Sequence, residues 1–192
     1  MKKSWIIIAA IALVVIIAVV KYNGMVKSEQ LVEKQWANVQ SSYQRRADLI
    51  PNLVNTVKGY AAHEQKTLTD IIEARAKATS VNISAKDLTP DKIQQFQEAQ
   101  NQISGALGRL MVVVEKYPDL KANQNFLELQ AQLEGTENRI NVERNRFNEE
   151  VQKYNTKIKT FPSNLLNAMY GFQEKGYFEA QRGSEYAPTV TF

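Results

Sequence analysis

VEKQWANVQSSYQRRADLIPNLVNTVKGY, residues 32–60, decides the fold. Within it Val32, Trp36, Val39, Tyr43, Arg46, Ile50, Leu53, Val57 and Tyr60 recur at alternating spacings of four and three, and only Arg46 is charged. That rhythm is a helical stripe, too long and too regular for strands. Its natural use is left-handed packing against neighbouring helices. Pro51 lacks the amide that would bond back toward Ala47, yet the apolar phase is kept from Ile50 to Leu53. A break has no reason to preserve phase, so a kink within one helix is expected. The pattern loosens after Tyr60, but helix formers continue through Leu68, Ile71 and Ala78. From Met25 to Thr79 the segment would be about 80 Å long if unbroken.

Working toward the carboxyl terminus, residues 80–90 form the clear linker, and Thr89, Pro90 and Asp91 make a helix-start signal: a hydroxyl cap, a proline at the first position and an acid in the first turn. A second helix carries Ile93, Phe96, Ile103, Leu107, Leu110 and Val114, and Tyr117 and Pro118 end it. Gly105 and Gly108 lower its propensity, and close helix approach is the expected reason. A third helix runs from about Lys121 to Lys159 on a stripe from Phe126 through Ile140, Phe147 and Tyr154 to Ile158, and is closed by Phe161 and Pro162. Ser163 is placed to cap a short fourth helix ending before Gly171. The remainder lacks periodicity but holds Phe172, Tyr177, Phe178, Tyr186 and Phe192; its first part is expected to pack on the bundle and its end to be loose. The fold class is therefore all-α: an elongated antiparallel bundle of three long helices with a short fourth, in up-down-up order.

Working toward the amino terminus, residues 5–20 are an unbroken apolar run between Lys2, Lys3 and Lys21. With Ser4 and Tyr22 added it approaches the length of a membrane span, with Trp5 and Tyr22 at opposite interfaces. A cleaved signal peptide fits less well, because small residues are missing from the cleavage positions. A soluble helix apolar on every side would need a large protein around it. The division is then an anchor at residues 1–22, contacting the lipid bilayer through residues 4–22, a helical domain at 23–170 and an aromatic-containing tail at 171–192. Asn23 and Gly24 are the expected flexible joint. The early lysines favour a cytoplasmic amino terminus and an outward-facing domain.

The 192 residues carry 24 basic and 20 acidic side chains, and the lysines at positions 2, 3 and 21 account for most of the +4 excess. No basic footprint for nucleic acid remains. With no cysteine and a single histidine, His63, thiolate chemistry and the usual zinc and di-iron clusters are excluded, so no cofactor and no metal site are expected. Serines and threonines lack a histidine base, and no phosphate-binding glycine loop occurs. Carboxylates on the third helix interleave with Arg139, Arg144, Arg146 and Lys153, as on any solvated helix face. No catalytic residue is expected, although an acid pair could still assemble in space.

Arg46 and Arg144 interrupt their stripes in phase. Buried, each requires a carboxylate or several carbonyls, with Asp48 and Glu137 the obvious candidates; on a rim, each would snorkel. Asparagines abut apolar positions at 52, 55, 123, 125, 138, 141, 145 and 155, which suits polar layers or partner contact, although a plain surface position explains most of them.

Three stretches carry a resemblance: RRADLIPNLVNTVKGYAAHE at 45–64, YPDLKANQNFLELQAQLEGTENRI at 117–140, and FNEEVQKYNTKIKTFPSN at 147–164, followed by YFEA at 177–180 and preceded by YNGMV at 22–26. In this order they resemble the LemA family of bacterial membrane proteins. The resemblance implies one amino-terminal transmembrane helix, a long antiparallel helical bundle and no established catalytic role. It departs at Ala47, where many relatives carry histidine. The signature falls on Arg46, Asp48, Pro51, Tyr117, Pro118, Asn155, Phe161 and Pro162, which read as kink, turns and polar anchors, or equally as a partner surface. Two functions are compatible with all of this. One is a non-enzymatic membrane-anchored scaffold or accessory protein with an envelope or membrane protein partner. The other is a membrane-attached enzyme or small-ligand binder with its site between helices.

Overall fold

The computed structural model describes residues 2–179, and among them every regular element is α-helical. The order is α1 (Lys2–Lys58), α2 (Gln65–Ser80), α3 (Pro90–Val114), the single turn α4 (Pro118–Lys121), α5 (Gln124–Lys159) and α6 (Ser163–Tyr170).

α1 is one continuous helix of 57 residues, about 85 Å long at 1.5 Å per residue. It runs unbroken through Asn23 and Gly24, so the expected joint between anchor and domain is absent and the boundary at residue 22 falls inside a helix. Below that point the large side chains of the apolar run are bare, from 72% exposed at Trp5 to 43% at Ile17; above it Met25, Val32, Trp36 and Val39 are buried. By length and composition α1 can cross a membrane.

The helix also continues through Pro51, as the preserved phase requires. The carbonyl of Ala47, which no amide at position 51 can reach, accepts instead from Arg75 Nε on α2 at 2.7 Å. A cross-helix guanidinium thus satisfies the group that proline leaves open.

The segment expected to run on to Thr79 does not stay straight. α1 ends at Lys58, and Tyr60 and Ala61 both donate to the Val57 carbonyl as the chain folds back. α2 then descends along α1 and beside α3, where Asp70 faces Arg109 at 3.7 Å. The apolar residues after Tyr60 lost their register with the first stripe because they belong to a second helix. Gln35 meets Glu143, Arg46 meets Glu137 and Tyr60 meets Asn123, so α5 runs antiparallel to α1. Trp36 against Phe96 and Arg46 against Gln100 set α3 parallel to α1. The three long helices and the short last one are present, but the long ones run up, up and down rather than in the expected up-down-up order, because the fold-back at residues 59–64 inserts α2 as a descending helix between α1 and α3.

Three cap details differ from expectation. Thr89 occupies the N-cap of α3, with Pro90 at its first position, but its hydroxyl makes no cap bond. α5 begins at Gln124, capped by Asn123 Oδ1, which accepts from the Phe126 amide at 3.1 Å. α6 has Pro162 at its N-cap, and Ser163 is its buried first residue. Gly105 and Gly108 do not mark close helix approach: a Cβ at Gly108 would meet nothing within 4 Å, and at Gly105 only the Arg109 side chain at 3.8 Å.

The core has two halves. Away from the apolar run, α1, α2, α3 and α5 enclose aliphatic side chains such as Leu53, Val57, Ile71, Ile103 and Leu110. Nearer to it, Trp36, Phe96, Phe147, Tyr154 and Phe178 form an aromatic cluster. Phe178 belongs to the tail. Gly171 turns the chain out of α6 with φ of 72°, a conformation that suits glycine. Residues 172–179 then run back up the bundle. The rest of the expected tail lies outside the described residues.

Candidate functional site

Polar side chains gather at two places inside the bundle. The first is centred on Arg46, only 2% exposed. Its Nη1 donates to Glu137 Oε1 at 2.6 Å and to Ser104 Oγ at 3.0 Å; its Nη2 donates to Gln100 Oε1 at 2.7 Å and to the Gln100 carbonyl at 3.1 Å. The guanidinium also lies 5.0 Å from the Tyr43 ring centre. Three helices are joined through this one side chain. Glu137 is 39% exposed, so its carboxylate keeps contact with water. Burial pushes the Tyr43 phenol above its ordinary pKa, against the lowering influence of Arg144 and Arg46. Asp48 is not brought to Arg46: it is exposed and accepts from Gln44 Nε2 at 2.7 Å.

The second place is the groove that holds the tail. Asn155, 3% exposed, accepts from the Lys175 amide at 3.0 Å and donates to the Lys175 carbonyl at 2.8 Å. Asn148 makes the same pair with Phe178, at 2.9 and 2.8 Å. From the α3 side Gln97 makes it with Glu179, at 3.2 and 2.8 Å. Each amide therefore serves both backbone groups of one residue, as a neighbouring strand would. Asn148 and Asn155 are seven residues apart, about 10.5 Å along a helix, which is the reach of three extended residues. Arg144, half-buried, donates to the Glu179 carbonyl at 3.0 Å and lies 4.9 Å from the Phe178 ring centre. It thus meets the tail and not a carboxylate.

Two buried charges were not read from the sequence. Glu143, 5% exposed, accepts from Gln35 Nε2 at 2.6 Å and from Arg146. Lys175, 3% exposed, reaches Glu29 at 3.0 Å and the Lys86 carbonyl at 2.9 Å, with the Tyr154 ring 5.8 Å away. Desolvation raises the Tyr154 phenol pKa, and the Glu29 carboxylate raises it further. The adjacency of 143 and 144 on one helical seam was the available signal for the first. Nothing in the aperiodic tail pointed to the second.

The other sequence-marked residues lie at the ends of the bundle. Tyr117 donates to Glu64 Oε1 at 3.3 Å, and Pro118 opens α4. Phe161 is 78% exposed, and Pro162 leads into α6. His63 is exposed in the turn between α1 and α2. Among the described residues no group of three or more His, Asp or Glu side chains is gathered to hold a metal ion.

An open groove of about 840 Å³ flanks the tail, with Glu98, Glu174 and Glu179 on its walls. These carboxylates are exposed, Glu174 pairs with Lys159 at 2.6 Å, and Glu98 accepts from Gln94 at 3.0 Å. No desolvated acid pair of the kind general acid–base chemistry needs is formed by them.

The LemA family model matches residues 35–192. Protein LemA of Metamycoplasma hominis is 24% identical over 82% of this chain and 68% of its own length. Magnetosome protein MamQ 2 of Paramagnetospirillum magneticum is 24% identical over 96% of this chain and 75% of its own. Magnetosome protein MamQ of Magnetospirillum gryphiswaldense is 25% identical over 89% and 69%. None of these names states a catalytic activity. With the family's match extending over most of a chain that has the long apolar first helix and the helical bundle, the protein belongs to the LemA family.

Proposed function

We propose that this protein is a non-enzymatic, single-pass membrane-anchored scaffold or accessory protein of the bacterial envelope that acts through protein contacts. The observation that carries the reading is the continuity of α1. One helix holds the bare apolar run and supplies the packed face of the bundle, so the rod stands rigidly on its anchor. Buried charges support it as well, since Arg46, Glu143 and Lys175 are each engaged in contacts that hold helices or tail together. The lysines ahead of the apolar run favour a cytoplasmic amino terminus with the bundle outside. The partner is a protein of the envelope or membrane, met along the sides or tip of the rod.

Photo-crosslinking residues placed at the exposed Val112, Leu127 and Val142, followed by mass spectrometry from the native host, test the reading. Recurrent capture of the same protein at adjacent positions is expected. Capture of lipid alone at all three would sink it. Protease treatment of spheroplasts tests the orientation, and protection of the bundle there, with digestion after lysis, reverses it.

The groove beside the tail favours a second reading, a small-ligand site between α3 and the tail. Protection of residues 94–105 from hydrogen exchange by a metabolite extract, with no protein captured, would favour it over the scaffold.

A further inference from the structure

The base of the bundle carries an apolar face that the core does not use. α6, SNLLNAMY, has no charged residue. Leu165 and Met169, four residues apart, form a ridge along it, and Phe161 lies in the turn that leads into it; they are 61%, 77% and 78% exposed. Tyr170, beside the ridge, is 55% exposed. Side chains of this size are ordinarily covered when they cluster. The bundle had the means to cover them, for Ser163 of the same helix is 2% exposed.

The height of this ridge is set by its neighbours. The Tyr170 ring lies 4.7 Å from that of Tyr22, and the Phe172 ring lies 5.9 Å from that of Tyr22. Ser163 and Thr160 share a groove with Val20, Lys21 and Gly24. α6 therefore sits where the apolar run of α1 ends and its first lysine and tyrosine begin. In a bilayer-spanning helix that place is the boundary between acyl chains and headgroups, the zone amphipathic aromatics prefer. Lys153 and Lys157 line the same groove as Lys21; Lys153 pairs with Glu150 at 2.7 Å and Lys157 donates to the Gly24 carbonyl at 3.1 Å, so cationic groups stand beside the position where anionic headgroups would lie.

We infer that Leu165, Met169 and Tyr170 of α6, with Phe161 in the turn before it, are a membrane foot, inserted in the headgroup–acyl boundary of the bilayer that α1 spans. The inference rests on the anchor reading of α1 and adds a second contact to it. An apolar helical face lying in the interface is buried by roughly 5–10 Å of lipid. Two contacts fix what one helix leaves free: the tilt of the rod and its rotation about the membrane normal. The foot thereby determines which face of the bundle is turned to the bilayer and which to a partner.

The chain has no native cysteine, so single sites can be labelled in the full-length protein reconstituted into mixed phosphatidylcholine–phosphatidylglycerol vesicles. Leu165→Cys and Met169→Cys would carry an environment-sensitive fluorophore. Asn125→Cys, exposed at the far end of α5, is the aqueous control, and Val14→Cys, within the apolar run, is the lipid control. Labels at 165 and 169 should be quenched by nitroxide lipids with the spin near the headgroup, and quenched several-fold less by aqueous iodide than the label at 125. If they match the label at 125 while the label at 14 is lipid-quenched, the anchor stands and the foot is overturned. Shielding from iodide without lipid quenching means that protein covers the ridge, which also overturns it. Absence of lipid quenching at 14 removes the anchor and the foot together.

Discussion

Replacing Arg46 by alanine is the most direct perturbation of the bundle. Its guanidinium donates four bonds to Glu137, Ser104 and Gln100, on two helices other than its own. Removing it leaves the Gln100 side chain, 6% exposed, without its donor, a loss of about 1–3 kcal/mol for a buried polar group. Glu137, at 39% exposed, can recover water, so the full 3–5 kcal/mol of a broken buried pair is not expected from it. The aliphatic stem adds lost packing under Tyr43. The sum is a destabilisation of about 3 kcal/mol, with Glu137→Gln costing about 1 and the pair coupled by about 1–2 kcal/mol. Urea titration in detergent, followed by Trp36 fluorescence in a Trp5→Phe background, measures all three. A loss below about 0.5 kcal/mol for Arg46→Ala, the value of a rim residue, would refute the idea that this side chain ties three helices.

Four further outcomes follow from the geometry. Gly176→Ala places a Cβ 2.6 Å from the Pro90 Cα and 2.9 Å from its nitrogen, so the tail must shift; a cost of about 1–3 kcal/mol and faster amide exchange at residues 175–179 are expected. Asn155→Ala removes both bonds to the Lys175 backbone and should cost about 2 kcal/mol in urea titration while exposing the Lys175 amide to exchange. Arg75→Ala orphans the Ala47 carbonyl and should cost about 1–2 kcal/mol, falling toward zero in a Pro51→Ala background, where the amide restored at position 51 takes the same carbonyl. The Tyr154 phenol has a folded pKa above its ordinary 10.0, so the stabilisation it confers is complete below that pH and declines as pH rises above it toward the folded value; Tyr154→Phe should make the alkaline fall in stability shallower by up to one proton while losing the bond to the Gln173 carbonyl.

The parts of this fold legible in the sequence are those fixed by helical phase. Ile50 and Leu53 announced that the helix survives Pro51, because burial on one side constrains residues on both flanks of the ring. The fold-back after Lys58 was less legible. Gly59 is a modest breaker, and the residues after it are good helix formers, so only the loss of register after Tyr60 betrayed a new helix. The choice between Asp48 and Glu137 for Arg46 required knowing which helices adjoin, and tertiary packing alone decides that. Arg144 and Glu143 illustrate the limit of a stripe: between Ile140 and Phe147 two adjacent residues lie near the seam, and the buried one is the acid. The tail had no periodicity to read, since an extended segment held by amides on two helices leaves no hydrophobic repeat of its own.

The two halves of the core explain why that tail is needed. Where four helices surround the axis, aliphatic side chains fill the space between them. In the half nearer the apolar run, α2 is gone by Ser80, and the linker that follows offers a carbonyl, Ile83 O, to the Trp36 indole at 3.2 Å. A loop and an extended segment stand there where a fourth helix would otherwise pack. Neither brings rows of side chains on both sides, so the cavity they bound is wide and large rings are required to fill it. Trp36 is accordingly met by Phe96, Phe147 and Phe178 at 5.1, 5.5 and 6.1 Å, and the last of these comes from the tail. Removing Phe178 from the cluster would open the non-helical wall of aromatic contact against Trp36, while leaving the aliphatic half intact. Loss of cooperativity between the two halves is then the expected behaviour of a Phe178→Ala protein: exchange protection should fall around Trp36 and Phe147 and persist around Ile71 and Leu110. Equal loss in both halves would mean that the bundle unfolds as one unit and that the tail merely decorates it.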